Sequence, residues 1–215
     1  MGRNKGVARP RGARLRLDGR TALRLAAGFG AGLAFWLAFS APYEKTVAGA
    51  AGFLLRLFER PAVTSLEARA GEILVDRSDF PPASPRPGLP AADLHFNFVL
   101  LAALFALAPH PLAPGRFGRF WIAAAGLWAI HVLALVFQVE ALYATRLGAW
   151  SDAHYGAFAR NLWAAGFHFY QIAGRFAAPF VLWWPFARPE RTAPEPPPRT
   201  RTRGAARSRR AGAVK

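Results

Sequence analysis

Arg175, Gln171, His168 and His131 are the side chains whose types and positions could do chemistry inside an apolar environment. Arg175 falls near the centre of an apolar run, where a charge costs at least about 2.5 kcal/mol even on the lenient insertion scale. Either the helix is tilted or broken and the guanidinium snorkels to the boundary, or it faces a bundle interior and pairs there. Gln171 precedes it by four residues and His168 by seven, so on a helix the three share one face. A polar stripe of this kind points at other helices rather than at hydrocarbon. His131, midway along another apolar run, is a candidate partner for it. A neutral histidine bonded to a neighbouring helix suits that position better than a proton relay does. The chemistry such a set could perform is proton transfer, in a membrane-embedded enzyme or a proton-coupled transporter.

A second set, His95 and Asn97 with Asp152 and His154, could gather at the outer surface. Metal binding would want ligands at fixed helical spacing, such as two histidines four apart, and that pattern does not occur. The chain has no phosphate-binding loop, zinc-protease pentad or nucleophile elbow. With no cysteine it also has no thiol nucleophile and no disulfide. These residue types imply no cofactor and no catalytic residue, and they weigh against an enzyme.

The elements that must position these side chains follow from how charge and apolarity are segregated. Hydrophobic residues make up 53% of the 215, yet the net charge is +16, a conflict for a soluble domain. It resolves because the charge lies at the ends and long apolar runs lie between them. Residues 1–21 and 188–215 are basic and rich in Gly or Pro, and are expected to be disordered tails. Between them the apolar runs place spans at about 22–41, 94–110, 120–139 and 162–186. The second is short and the fourth carries Arg175. The Ala38-Phe39-Ser40 segment also suits a signal-peptide cleavage site, but the further runs favour an uncleaved anchor. The loop 43–93 begins as an amphipathic helix with Val47, Ala50, Leu54 and Leu57 on one face, expected to follow Pro42 and lie along the membrane surface. It continues as a β-hairpin turning at Ala70-Gly71, then as a Pro-rich stretch expected to lack regular structure. The fold expected is an all-α membrane protein of about four transmembrane helices with an external amphipathic helix and a small β-hairpin.

Four spans put the N-terminal segment, the Arg116/Arg119 loop and the C-terminal tail on one side, as the positive-inside bias requires, whereas three would expose one basic tail. Both termini are therefore expected in the cytoplasm. The basic tails lack aromatics, which argues against nucleic acid and for anionic lipid headgroups or topogenic charge. Gly28 and Gly32 stand at the spacing of a close helix contact, which chance explains equally well in so Gly- and Ala-rich a segment.

The order of these features resembles the core of the exosortase/archaeosortase family. Ala41-Pro42-Tyr43-Glu44 ends the first span, Leu94-His95-Phe96-Asn97 enters the second, and Asn161-Leu162-Trp163 through His168-Phe169-Tyr170 to Trp183-Trp184 forms the last. Members of that family are membrane transpeptidases that use a Cys, an Arg and a His. This chain lacks the Cys, so no catalytic residue carries over. The layout is closer to the exosortase H-associated membrane proteins. The resemblance implies a non-enzymatic accessory protein of a bacterial inner membrane, whose external loop contacts an exosortase-type enzyme or its substrate. The alternative is the membrane-embedded enzyme or proton-coupled transporter built on the polar stripe.

Overall fold

The computed structural model describes residues 18–108 and 110–187. The expected disordered tails lie outside them, except that residues 18–21 form the cap and first turn of a helix. Helix α1 runs Gly19–Phe58, capped by the Asp18 carboxylate, which accepts the Thr21 backbone N–H at 2.8 Å. It is one helix of 40 residues, about 60 Å long. The amphipathic segment after Pro42 is thus neither separate nor laid along a surface. A proline inside a helix removes one backbone bond and crowds the preceding turn. Here burial outweighs that loss, because Val47, Ala48, Ala51 and Leu55 are buried against other protein elements. Of the face expected to be apolar, Val47 is fully buried and Leu57 is exposed.

Strands β1 (Thr64–Arg69) and β2 (Glu72–Arg77) form the anticipated hairpin, in register from Thr64 opposite Arg77 to Arg69 opposite Glu72. Ala70 and Gly71 both have positive φ, +52° and +81°. That is the two-residue turn whose twist matches a hairpin. The Pro-rich stretch is not wholly irregular, since it supplies β3 (Gly88–Pro90), antiparallel to β2 at the sheet edge. Proline is tolerated there because Pro87 contributes only its carbonyl, which accepts from the Val75 N–H at 2.9 Å.

The remaining elements are helical. They are α2 (Ala92–His95), α3 (Asn97–Ala106), α4 (Pro114–Arg146), α5 (Ala149–His154), α6 (Ala157–Phe169), a π-helical turn (Tyr170–Gly174) and α7 (Arg175–Ala187). Helices α1 and α4 are each long and apolar enough to cross a bilayer. Residues 92–106 are apolar but shorter than a span. The fold is therefore largely helical with a small three-stranded antiparallel sheet. One core cluster joins the sheet to the later halves of α1 and α4, and a second lies between α3, the first half of α4 and α7.

Gly28 and Gly32 stand where α1 crosses α3. A Cβ on Gly32 would sit 2.8 Å from the Ala102 Cβ, and one on Gly28 would overlap the Ala106 Cβ. Both glycines are buried, whereas a Cβ on Gly30 would meet nothing. Gly32→Leu should therefore lower thermal stability in detergent by about 1–3 kcal/mol or more. Gly30→Leu should leave it within about 0.5 kcal/mol. Equal effects at the two positions would contradict the helix crossing.

Candidate functional site

Trp36, Tyr43 and Glu44 lie seven and eight residues apart on α1 and so project from one face. Opposite them the α2–α3 corner carries His95 and Asn97, and α4 carries His131. His131 is completely buried and His95 and Glu44 nearly so. The bonds among them fix both histidine tautomers. The indole N–H of Trp36 can only donate, and it reaches His95 Nδ1 at 2.9 Å. The His95 proton therefore sits on Nε2, 3.2 Å from a Glu44 carboxylate oxygen. Asn97 Nδ2 donates to the backbone carbonyl of Arg175 at 2.9 Å, which orients the amide so that its oxygen accepts from His131 Nε2 at 2.8 Å. His131 Nδ1 then accepts from the Tyr43 hydroxyl at 2.6 Å.

The Arg175 carbonyl is available because of local chain chemistry. In an α-helix it would accept from the N–H of residue 179, and that residue is Pro179, which has none. The π turn just before it brings Tyr170 inward, where its hydroxyl donates to the Leu94 carbonyl at 2.5 Å. Among the described residues no buried side-chain nitrogen or oxygen lacks a partner. A buried network so completed holds helices in place.

The polar stripe of the last helical run is divided between two environments. Gln171 and Arg175 stay together, 3.3 Å apart, and the Arg175 guanidinium lies 4.0 Å from Asp93 at the start of α2. His168 does not share their surroundings. It is exposed and lines a furrow with Gln138 and Arg146. The wide turn changes the helical pitch between His168 and Arg175, so seven-residue spacing no longer keeps them on one face. His131 bonds Asn97 and Tyr43, and it is tied to the Arg175 carbonyl only through the Asn97 amide.

The outer-face set does not gather either. His95 and Asn97 are in the inner network, Asp152 pairs with Arg160 at 2.5 Å, and the His154 ring stacks 4.2 Å from that of Trp150. Among the described residues no three His, Asp or Glu side chains are placed to hold one metal ion.

A further polar cluster, which sequence reasoning missed, seats the sheet. The Arg77 guanidinium lies over the rings of Trp150, Tyr143 and Phe80 at 4.7, 4.9 and 5.3 Å. It pairs with Asp79 at 2.8 Å and with Glu59 at 3.4 Å. Thr64 donates its backbone N–H to Glu59 at 3.0 Å, and its hydroxyl bonds both Glu59 and Tyr143. Tyr155 donates to Glu140 at 2.8 Å, and burial together with that carboxylate holds the Tyr155 phenol above its ordinary range. Hydrogen bonds from Arg77 hold the Asp79 carboxyl below its ordinary range. Trp36, Tyr43 and Glu44 did carry a usable signal in their shared helical face, but Arg77 was one arginine among many in a charge-balanced loop.

No protein-family model matches the chain, and no similar protein was found among curated proteins or solved structures.

Two outcomes test these clusters. Asn97→Leu strands the Arg175 carbonyl and the His131 N–H and should cost about 1–3 kcal/mol for each group. Pro179→Ala restores an N–H to the carbonyl, so the double variant should lose less than the sum, as a double-mutant cycle of thermal unfolding will show. Because the folded Asp79 is the stronger acid, its contribution is complete above the ordinary carboxyl range and is lost as pH falls through it. Asp79→Asn should remove that part of the acid dependence of hairpin hydrogen exchange. An unchanged profile would show that the Asp79–Arg77 pair does not hold the sheet.

Proposed function

We propose that the chain is a multi-pass protein of a bacterial inner membrane, with four crossings and both termini in the cytoplasm, that presents a rigid outer unit to a partner without catalysing a reaction. The observation that carries this reading is the length of α1 and α4. The hydrocarbon core of a bilayer is about 30 Å thick, and α1 alone measures about 60 Å. What extends past the membrane is clamped: the sheet packs on the later halves of both helices through one continuous core.

The disposition of the ends supports the topology. Gly28 and Gly32 on Ala106 and Ala102 bring the start of α1 level with the α3–α4 turn. Phe105 meets Phe186, 6.1 Å between ring centres, and so brings the end of α7 there too. Arg20, Arg24, Arg116 and Arg119 thus belong to the end opposite the sheet, as the positive-inside bias requires. Large apolar side chains face outward along the helices between these ends. Phe29 and Leu37 on α1, Ile122 and Leu133 on α4, and Ile172 and Phe176 in the last run are all exposed. Lipid is the environment that suits them.

Binding is favoured over catalysis because the buried histidines are fully engaged by protein donors and acceptors. Within this reading the partner is an exosortase-type sorting enzyme or its substrate, a choice that rests on the layout of features along the chain.

The absence of cysteine makes the topology easy to test. Exposed positions Ala83 and Gly118 lie at the two ends. A membrane-impermeant maleimide should label the Ala83→Cys variant on intact spheroplasts and the Gly118→Cys variant only after permeabilisation. The opposite pattern would overturn the orientation. Co-expression with an exosortase-type enzyme should give a complex that survives detergent extraction, and failure of the two to associate would remove that partner.

A further inference from the structure

A furrow of about 560 Å³ runs between α4, α6 and the free edge of β3. A neighbouring basin of about 520 Å³ shares Thr145 and Ala164 with it, so the two form one trough along the seam of α4 and α6. Each is of a size that takes a ligand.

One wall of the furrow is backbone. The Val75 N–H bonds the Pro87 carbonyl and the Ala91 N–H bonds the Gly71 carbonyl, both at 2.9 Å. In an antiparallel ladder the bonding direction alternates. Residues 87, 89 and 91 therefore face β2, while the Gly88 N–H and carbonyl and the Pro90 carbonyl face outward from the edge. The other wall carries Gln138, Arg146 and His168, none of which makes a hydrogen bond or ion pair among the described residues. Of the other charges nearby, Asp152 and Arg160 neutralise one another, as do Arg86 and Asp76, and the Glu72 carboxylate lies against Gly88.

We propose that this trough binds an extended polypeptide segment, which pairs with the Gly88 edge as an added strand and places a carboxylate on Arg146 and His168. An open backbone rung is best satisfied by another backbone, and an unpaired cation opposite it selects an acidic group. A lipid phosphate fits less well, since it would leave the Gly88 rung unused. The inference rests on the reading of this unit as lying outside the membrane, and it supplies the chemistry of the partner.

The full chain in phosphatidylcholine nanodiscs should be panned against nonapeptides, half with free and half with amidated C-termini. Acidic, β-branched sequences should be enriched over empty nanodiscs. Enrichment confined to free termini would identify a terminal carboxylate, and enrichment in both halves a side-chain one. A selected peptide should lose at least tenfold in affinity for Arg146→Glu, a change at an exposed position. It should lose as much when N-methylated at alternate residues in one register but not in the other. Gly88→Pro, which removes the outward N–H and leaves the bonds to β2, should weaken binding similarly. No enrichment, displacement by phosphatidylglycerol alone, or sensitivity to only one of the charge and backbone changes would overturn the proposal. Reversed cysteine labelling would instead overturn the topology while leaving binding in nanodiscs intact, so the two failures are separable.

Discussion

The side-chain amide of Asn97 bridges α3, α4 and α7. Its nitrogen fills the carbonyl of Arg175, which Pro179 leaves without a helical donor, and its oxygen fixes the proton of His131. Through His131 the same bridge reaches Tyr43 on α1. In an apolar surrounding each of these groups would be costly without its partner. The bundle can therefore place them in few other ways, and a proline that would weaken a lone helix becomes the reason for a specific contact between helices.

Above that bridge the structure changes character. Helices α1 and α4, which expose large apolar side chains such as Phe29 and Ile122 along their earlier halves, become in their later halves the supports of a small sheet. The β1–β2 hairpin would be marginal alone, and β3 adds only three residues to it. It is held by apolar burial of Ile73 and Val75 beneath it and by Arg77, whose charge is shared among carboxylates and ring faces. Motion of the sheet is thereby tied to the two helices.

The polar residues fall into two classes with different consequences. Those of the inner network are buried or half-buried and bonded to one another, and changing one strands another. Those of the trough, Gln138, Arg146 and His168, are accessible and make no side-chain hydrogen bond or ion pair among the described residues. Recognition is better served by the second class, because binding there does not have to break an existing internal bond.

The hairpin was legible in the sequence because its determinants are local. Alternating apolar residues, Ala70-Gly71 at the turn and the flanking charges specify register without help from distant residues. The long apolar runs of α1 and α4 were legible for the same reason, since helix period and hydropathy are properties of the segment itself. Tertiary structure decided the rest. Whether Pro42 ended a helix depended on what Val47 and Leu55 could bury against. Whether the Pro-rich stretch could supply a strand depended on the outer edge of β2 being open to Gly88–Pro90. The grouping of His168 with Gln171 and Arg175 assumed a uniform helix, and the wide turn at Tyr170–Gly174 removed that assumption. The partners of His95 and His131 lie tens of residues away on other helices. Spacing within a segment can say which side chains share a face, but only packing decides what that face meets.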